Sequence, residues 1–393
     1  MISDSEKMNL KLSLLNSNAI RNSRLPWIDY ARGIAILLVL YRHVFIGIKI
    51  SGADISHYPL LEKGNIMFFS FRMPLFFMLS GVFLGVSLAK RGLGHFVETK
   101  WKTLLYPYLI WGLFQITLQF ALKQYVNAGR TWWDYLYIIY RPREIDQFWY
   151  LYALFNTSVL YAIIRAKLRL TGFYQLLIGL VMFYISGLLV RNDIHIGFVH
   201  DVIHYYIYIA VGDNLSSFIL DKKNVPLFSS WKLFAVSLPI FAAAQYYFLV
   251  TNLAHAGIDG AKADYFNYVE DWQPLLFLVI AFSGCIFMIN ISFILQRYHT
   301  FILLRFIGYH SLYIYLTHVL AASVTRIVLT KVFGITDAGL LFICGMVMAL
   351  VIPLALYLFA MKKGAWWLFS LERPAERKKD ASAAAGKVAA SGA

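Results

Sequence analysis

Arg32 and His43 stand eleven positions apart in the run Arg-Gly-Ile-Ala-Ile-Leu-Leu-Val-Leu-Tyr-Arg-His. Eleven helical residues at about 100° each return to nearly the same face, with a rise of roughly 16 Å. A histidine so placed lies about halfway across a hydrocarbon core of about 30 Å. Ionisable groups at that depth are expensive, and they face a protein interior or a wet cavity. The spacing therefore puts a fixed cation near the membrane surface and a ring close to its protonation point at the midplane, along one line. The same pair also fits a surface-anchoring arginine and a histidine bonded to a neighbouring helix.

A second histidine falls at the same level. The stretch Gly308 to His318 opens another apolar run, and His318 lies ten residues past Gly308, roughly 15 Å in. If both helices start on one side, His43 and His318 share a depth and can share a cavity. Asp29, three residues before Arg32, meets it on one face of the turn. Arg72 lies about seven residues inside the second apolar run, in Phe-Phe-Ser-Phe-Arg-Met-Pro. It either snorkels to the outer interface or serves a cavity. Pro74 makes that helix easy to bend, and Ser80-Gly81 lets it pack closely. The basic loop from Lys90 to Lys102 is first of all a topology signal, and it becomes a docking site only for an anionic ligand. His204 and Asp213 read as packing or cavity polar groups.

The elements that must position these residues are membrane helices. Of 393 residues, 60% are hydrophobic, 15% charged and 17% aromatic, which suits spanning helices with aromatic belts. The expected fold is all-α and polytopic, with ten spans at 30–50, 65–88, 103–122, 147–164, 172–190, 201–220, 231–250, 273–294, 306–329 and 338–361. The weakest separation is the polar break from Arg191 to Asp201. With the N-terminus inside, inner segments carry 24 Lys and Arg and outer segments 10, so both termini are placed in the cytoplasm. Residues 1–24 read as a cytoplasmic tail, 25–365 as the membrane domain and 366–393 as a disordered cytoplasmic tail.

The net charge of +15 reflects cytoplasmic loops and membrane lipids, and no nucleic-acid partner is expected. Cys285 and Cys344 lie within apolar runs and give neither a disulfide framework nor metal-ligand spacing. No metal and no cleavable signal peptide are expected. Trp132 and Trp133, in the outer loop, read as interface anchors, with a sugar-stacking platform as the other option.

Four stretches carry a family resemblance: Trp27-Ile-Asp29-Tyr-Ala-Arg32-Gly33 with His43; Met73-Pro74-Leu-Phe-Phe-Met-Leu-Ser80-Gly81; Lys100-Trp-Lys102 leading to Pro107-Tyr108; and Gly308 to His318. Phe148-Trp149-Tyr150 also fits. Together they resemble the acyltransferase-3 family of bacterial integral-membrane acyltransferases, in the branch like fucose 4-O-acetylases. Arg72 departs from that branch, where the position is often histidine, and lysines stand where many relatives have arginines.

The resemblance implies a multi-pass protein of the bacterial inner membrane. Its donor would be cytosolic acetyl-CoA or another acyl-CoA, and its acceptor a carbohydrate hydroxyl on a surface polysaccharide, O-antigen or lipid-linked glycan. Other polysaccharide-assembly proteins are possible partners, besides membrane lipids. In that light His43 and Arg32 are catalytic: His43 as base or transient acyl carrier, Arg32 on coenzyme phosphate or the thioester carbonyl. Arg32, Lys100 and Lys102 would bind the coenzyme. Arg72, His318 and Trp149 would bind the acceptor, and Asp29, Pro74 and Gly81 would be structural. A transporter or flippase of a lipid-linked glycan also carries midplane charges, but such proteins commonly show paired repeats, and no internal symmetry is evident. Transfer to a peptide or lipid amine also remains open.

Overall fold

A computed structural model describes residues 25–121, 130–256 and 267–371. The proposed N-terminal tail and most of the C-terminal tail lie outside the described residues. Among the described residues the chain is helical, with no strand. The main helices are α1 (Pro26–Ile50), α2 (Pro59–Met67), α3 (Phe69–Val82), α4 (Leu84–Lys100), α5 (Tyr106–Ala121), α6 (Trp149–Lys167), α7 (Gly172–Arg191), α8 (Phe198–Leu220) and α9 (Trp231–Ala254). They continue with α10 (Tyr268–Trp272), α11 (Pro274–Tyr298), α12 (Ile302–Tyr309), α13 (Ser311–Ile327) and α14 (Ala338–Lys362).

Eight helical stretches are long and apolar enough to cross a membrane, and the protein is an all-α polytopic membrane protein. The two other expected spans are helices too, α6 and α8, of 19 and 23 residues. α8 is the more interior of the two. α8 packs against α3, α6 and α7, and it buries Asp201, His204, Asp213 and Ser216. The expected second span, 65–88, is not one helix. It breaks at Phe68 and again at Phe83, on either side of α3.

Local signals start the helices. Pro26, Pro59 and Pro274 sit in first turns, where the missing N–H has no partner to lose. Ser230 and Asp337 cap α9 and α14 by accepting from Leu233 N and Leu340 N.

Two glycine contacts fix the core. At Gly308 an added Cβ would stand 1.6 Å from Asp29 O, and at Gly33 one would stand 2.3 Å from Leu304 O. α1 and α12 thus touch backbone to backbone. Gly81 lies in the same way against Ile209 O, and Gly212 against Met78 O, at 2.4 and 2.2 Å from the added Cβ, so α3 and α8 cross at a similar distance. Pro74, within α3, denies Ser70 its helical donor.

Residues 366–371, assigned from sequence to the tail, instead pack on the bundle. Trp111 Nε1 donates to Leu368 O at 2.8 Å, and Phe369 is buried against Trp111, Tyr313 and Tyr357. Their aromatic rings find apolar partners that the charged residues after them do not offer.

Candidate active site

α1 and α13 bring the two histidines together. The rings of His43 and His318 lie 5.0 Å apart, centroid to centroid, at 67°. His318 is fully buried. Its Nδ1 lies 2.8 Å from Tyr315 O. A carbonyl only accepts, so Nδ1 carries the proton and Nε2 holds the lone pair. That Nε2 is buried and makes no hydrogen bond among the described residues. A buried acceptor without a donor is costly, and here it stands beside the imidazole of α1.

His43 lines a cavity of about 1060 Å³. The walls include Arg72 and Pro74 from α3, Trp149 from α6 and Tyr315 from α13. The cavity extends to Ile50, Glu144, Asp193 and His195, which mark the C-terminal ends of α1 and α7 and the loops beside them. It therefore opens at the end of the bundle opposite Arg32.

Arg32, Lys100 and Lys102 do not line this cavity. Lys100 feels the charges of Arg32 and Arg91, and its Nζ lies 5.5 Å from the Phe96 ring. Lys102 pairs with Glu98 at 2.6 Å. Lys100 thus lies within the field of two further cations, Arg32 and Arg91, at the other end, a donor set suited to phosphate. Tyr150 links the two ends. Its hydroxyl bonds Ser80 and feels Arg32, and its ring lies 5.3 Å from Tyr315, itself 5.7 Å from His318. Tyr315 donates to Gln147 O. Asp29 is buried and faces Arg305 at 3.8 Å. Gly81 sits at the crossing of α3 and α8.

Arg72 is 3% exposed, so it does not snorkel. Its guanidinium lies 5.9 Å from the Phe69 ring, with Nη1 at 3.5 Å from Leu38 O. Trp149 carries the Arg143 guanidinium on its ring at 4.3 Å, with Tyr205 at 5.6 Å, so part of its surface is already covered.

Apart from His204, read from sequence as a packing or cavity polar group, the polar wall facing these residues was missed. Arg143 holds Asp201 at 2.6 Å. His204 bridges Ser186 at 3.1 Å and Glu270 at 3.1 Å. Burial holds the Glu270 carboxyl well above its usual range, with Arg143 and His200 opposing. Asp271 is raised likewise, by burial and by Glu270. Only one signal was in the sequence, the i, i+3 spacing of Asp201 and His204. Asp213 proves to be a joint of the bundle, accepting from Gly85 N and Tyr161 and paired with Arg165. Among the described residues no group of three or more His, Cys, Asp or Glu side chains could hold a metal ion.

No curated protein and no solved structure matches the chain. The model of acyltransferase family 3, described as an acyltransferase domain, matches residues 25–358. That stretch takes in both histidines, their cavity and the cationic end beyond it, and the chain belongs to the acyltransferase-3 family.

Proposed function

We propose that this chain is a membrane O-acyltransferase of the bacterial inner membrane. It moves an acyl group, in the first instance acetyl, from cytosolic acyl-CoA to a carbohydrate hydroxyl on a surface polysaccharide or its lipid-linked precursor. The observation that carries the reading is the pair His43 and His318, 5.0 Å apart beside a large cavity, with the His318 Nε2 lone pair unused among the described residues.

The coenzyme fits the opposite end, where Arg32 and Lys100 offer positive charge to its phosphates, with Lys102 a turn away on Glu98. The acceptor enters from the cavity. His43 takes the hydroxyl proton, and the oxygen attacks the thioester carbonyl carbon. The carbon–sulfur bond breaks, and the leaving thiolate takes the proton back from the imidazolium. His318 acts on His43 rather than on the substrate: its basic Nε2 favours one orientation and one tautomer of the neighbouring ring. Trp149, braced by Arg143, forms part of the acceptor wall.

The test is transfer of labelled acetyl from acetyl-CoA into membrane glycan, in vesicles containing wild type or His43→Ala at equal expression. Label entering glycan only with intact His43 is the expected result. Equal transfer in both proteins removes His43 from the mechanism. No transfer and no release of coenzyme A thiol by either favours a transporter of lipid-linked glycan.

A further inference from the structure

Arg72 is the least comfortable side chain in the cavity wall. It is 3% exposed, and a guanidinium keeps its charge in any protein environment. A charge so buried is normally paired with a carboxylate. Among the described residues no carboxylate lies within 4.0 Å of it, and its polar contact is the distant Leu38 carbonyl. A second guanidinium, that of Arg42, lies over the same Phe69 ring, also at 5.9 Å. Both arginines and His43 line the one cavity. Three acids of that cavity have other partners: Asp201 pairs with Arg143, Glu270 with His204, and Asp146 accepts from Gln115 and Gln119.

We propose that the acceptor is acidic, and that Arg72 binds its carboxylate or phosphate next to His43. The inference rests on the acyl-transfer reading for the word acceptor, but not for the anion site itself. The guanidinium fork matches either oxyanion in a two-pronged geometry that an ammonium cannot copy. Placed there, the anion restores the missing counter-charge and fixes which hydroxyl meets the histidine.

Binding is measured apart from catalysis, as the shift in unfolding temperature of the detergent-solubilised full chain. The probes are methyl glucuronide, glucose 1-phosphate, inorganic phosphate and methyl glucoside. An anionic sugar is expected to raise the midpoint by several degrees more than methyl glucoside. A response to the uronate identifies a carboxylated sugar, and a response to the sugar phosphate a phosphorylated acceptor. A full response to inorganic phosphate alone overturns the sugar assignment. The charge preference disappears in Arg72→Gln and is reduced in Arg72→Lys, which keeps the charge but loses the fork. Equal shifts with charged and neutral sugars in wild type overturn the proposal without any variant, as does a preference that survives in Arg72→Gln. In the transfer assay, Arg72→Gln lowers the ratio of kcat/KM for acidic over neutral acceptors at least tenfold, through KM. An equal fall in kcat for both classes overturns the anion role and makes Arg72 a partner of the reacting carbonyl. Anion-specific shifts with no acyl transfer to any acceptor leave the site standing and sink the acyltransferase reading alone.

Discussion

Replacing His318 by phenylalanine keeps a planar ring beside His43 and removes the lone pair on Nε2. Transfer should fall by about 10²–10⁴-fold, the usual span for a group that assists proton transfer. A loss under tenfold in kcat, at equal expression, would leave His318 a packing residue. Glu270 gives a second test. Burial raises its folded carboxyl above the ordinary value of 4.5, against the pull of Arg143, His200 and Arg42. The folded state therefore holds the proton more tightly than the unfolded chain. Its contribution is full below pH 4.5 and is lost as pH climbs to neutrality. Wild type should lose more of its unfolding temperature between pH 5 and pH 8 than Glu270→Gln, whose amide does not titrate. Parallel pH curves would contradict this. The two histidines were legible because residue counting put them at one level, although the expected span 306–329 is broken at His310, between Gly308 in α12 and His318 in α13. Glu270, Arg143 and Ser186 were not, because they come from three separate segments, and nothing local marks residues that meet only after packing.

Helices tolerate changes where their surfaces are open and refuse them where backbones touch. Gly308→Ala would drive a methyl into Asp29 O and to within 2.7 Å of Gly33 N. Backbone atoms cannot step aside, so α1 must leave α12 and carry His43 away from His318. The variant should lose folded yield in detergent, read by size-exclusion chromatography. Gly112, within α5, meets nothing within 4 Å of an added Cβ. Gly112→Ala should therefore stabilise by up to about 1 kcal/mol through helix propensity, seen as a higher unfolding temperature. A folded Gly308→Ala or a destabilised Gly112→Ala would show that these contacts are not what holds the helices in place. Apolar runs made every expected helix readable, including α6 and α8. The breaks at Phe68 and Phe83 were not readable, since neither position holds a residue that ends helices. Between them α3 sets Gly81 against α8 and presents Arg72 to the cavity.

At the scale of the whole molecule, two chemistries occupy opposite ends. The cations near Arg32 and Lys100 belong to one end, and the cavity mouth near Asp193 and Glu144 to the other. A cavity of about 1060 Å³ lies at the upper end of ordinary ligand sites, enough for more than a single sugar ring. The excess of Lys and Arg in alternate loops, 24 against 10, is the basis for expecting the Arg32 end in the cytoplasm. On the proposed reading coenzyme arrives from inside, the acceptor from outside, and the acyl group crosses between them at the histidine pair. This orientation can be read directly. Cys285 is buried, and Cys344 can be replaced by serine. In that background Asp193→Cys, at a side chain 93% exposed, marks the cavity mouth, and Gly94→Cys, at a site with open space around it, marks the basic loop. A membrane-impermeant maleimide added to intact spheroplasts should label the first and reach the second only after lysis. The reverse pattern would place the cavity mouth in the cytoplasm, where acyl-CoA and acceptor would have to share one entrance, and the two-ended route would fall.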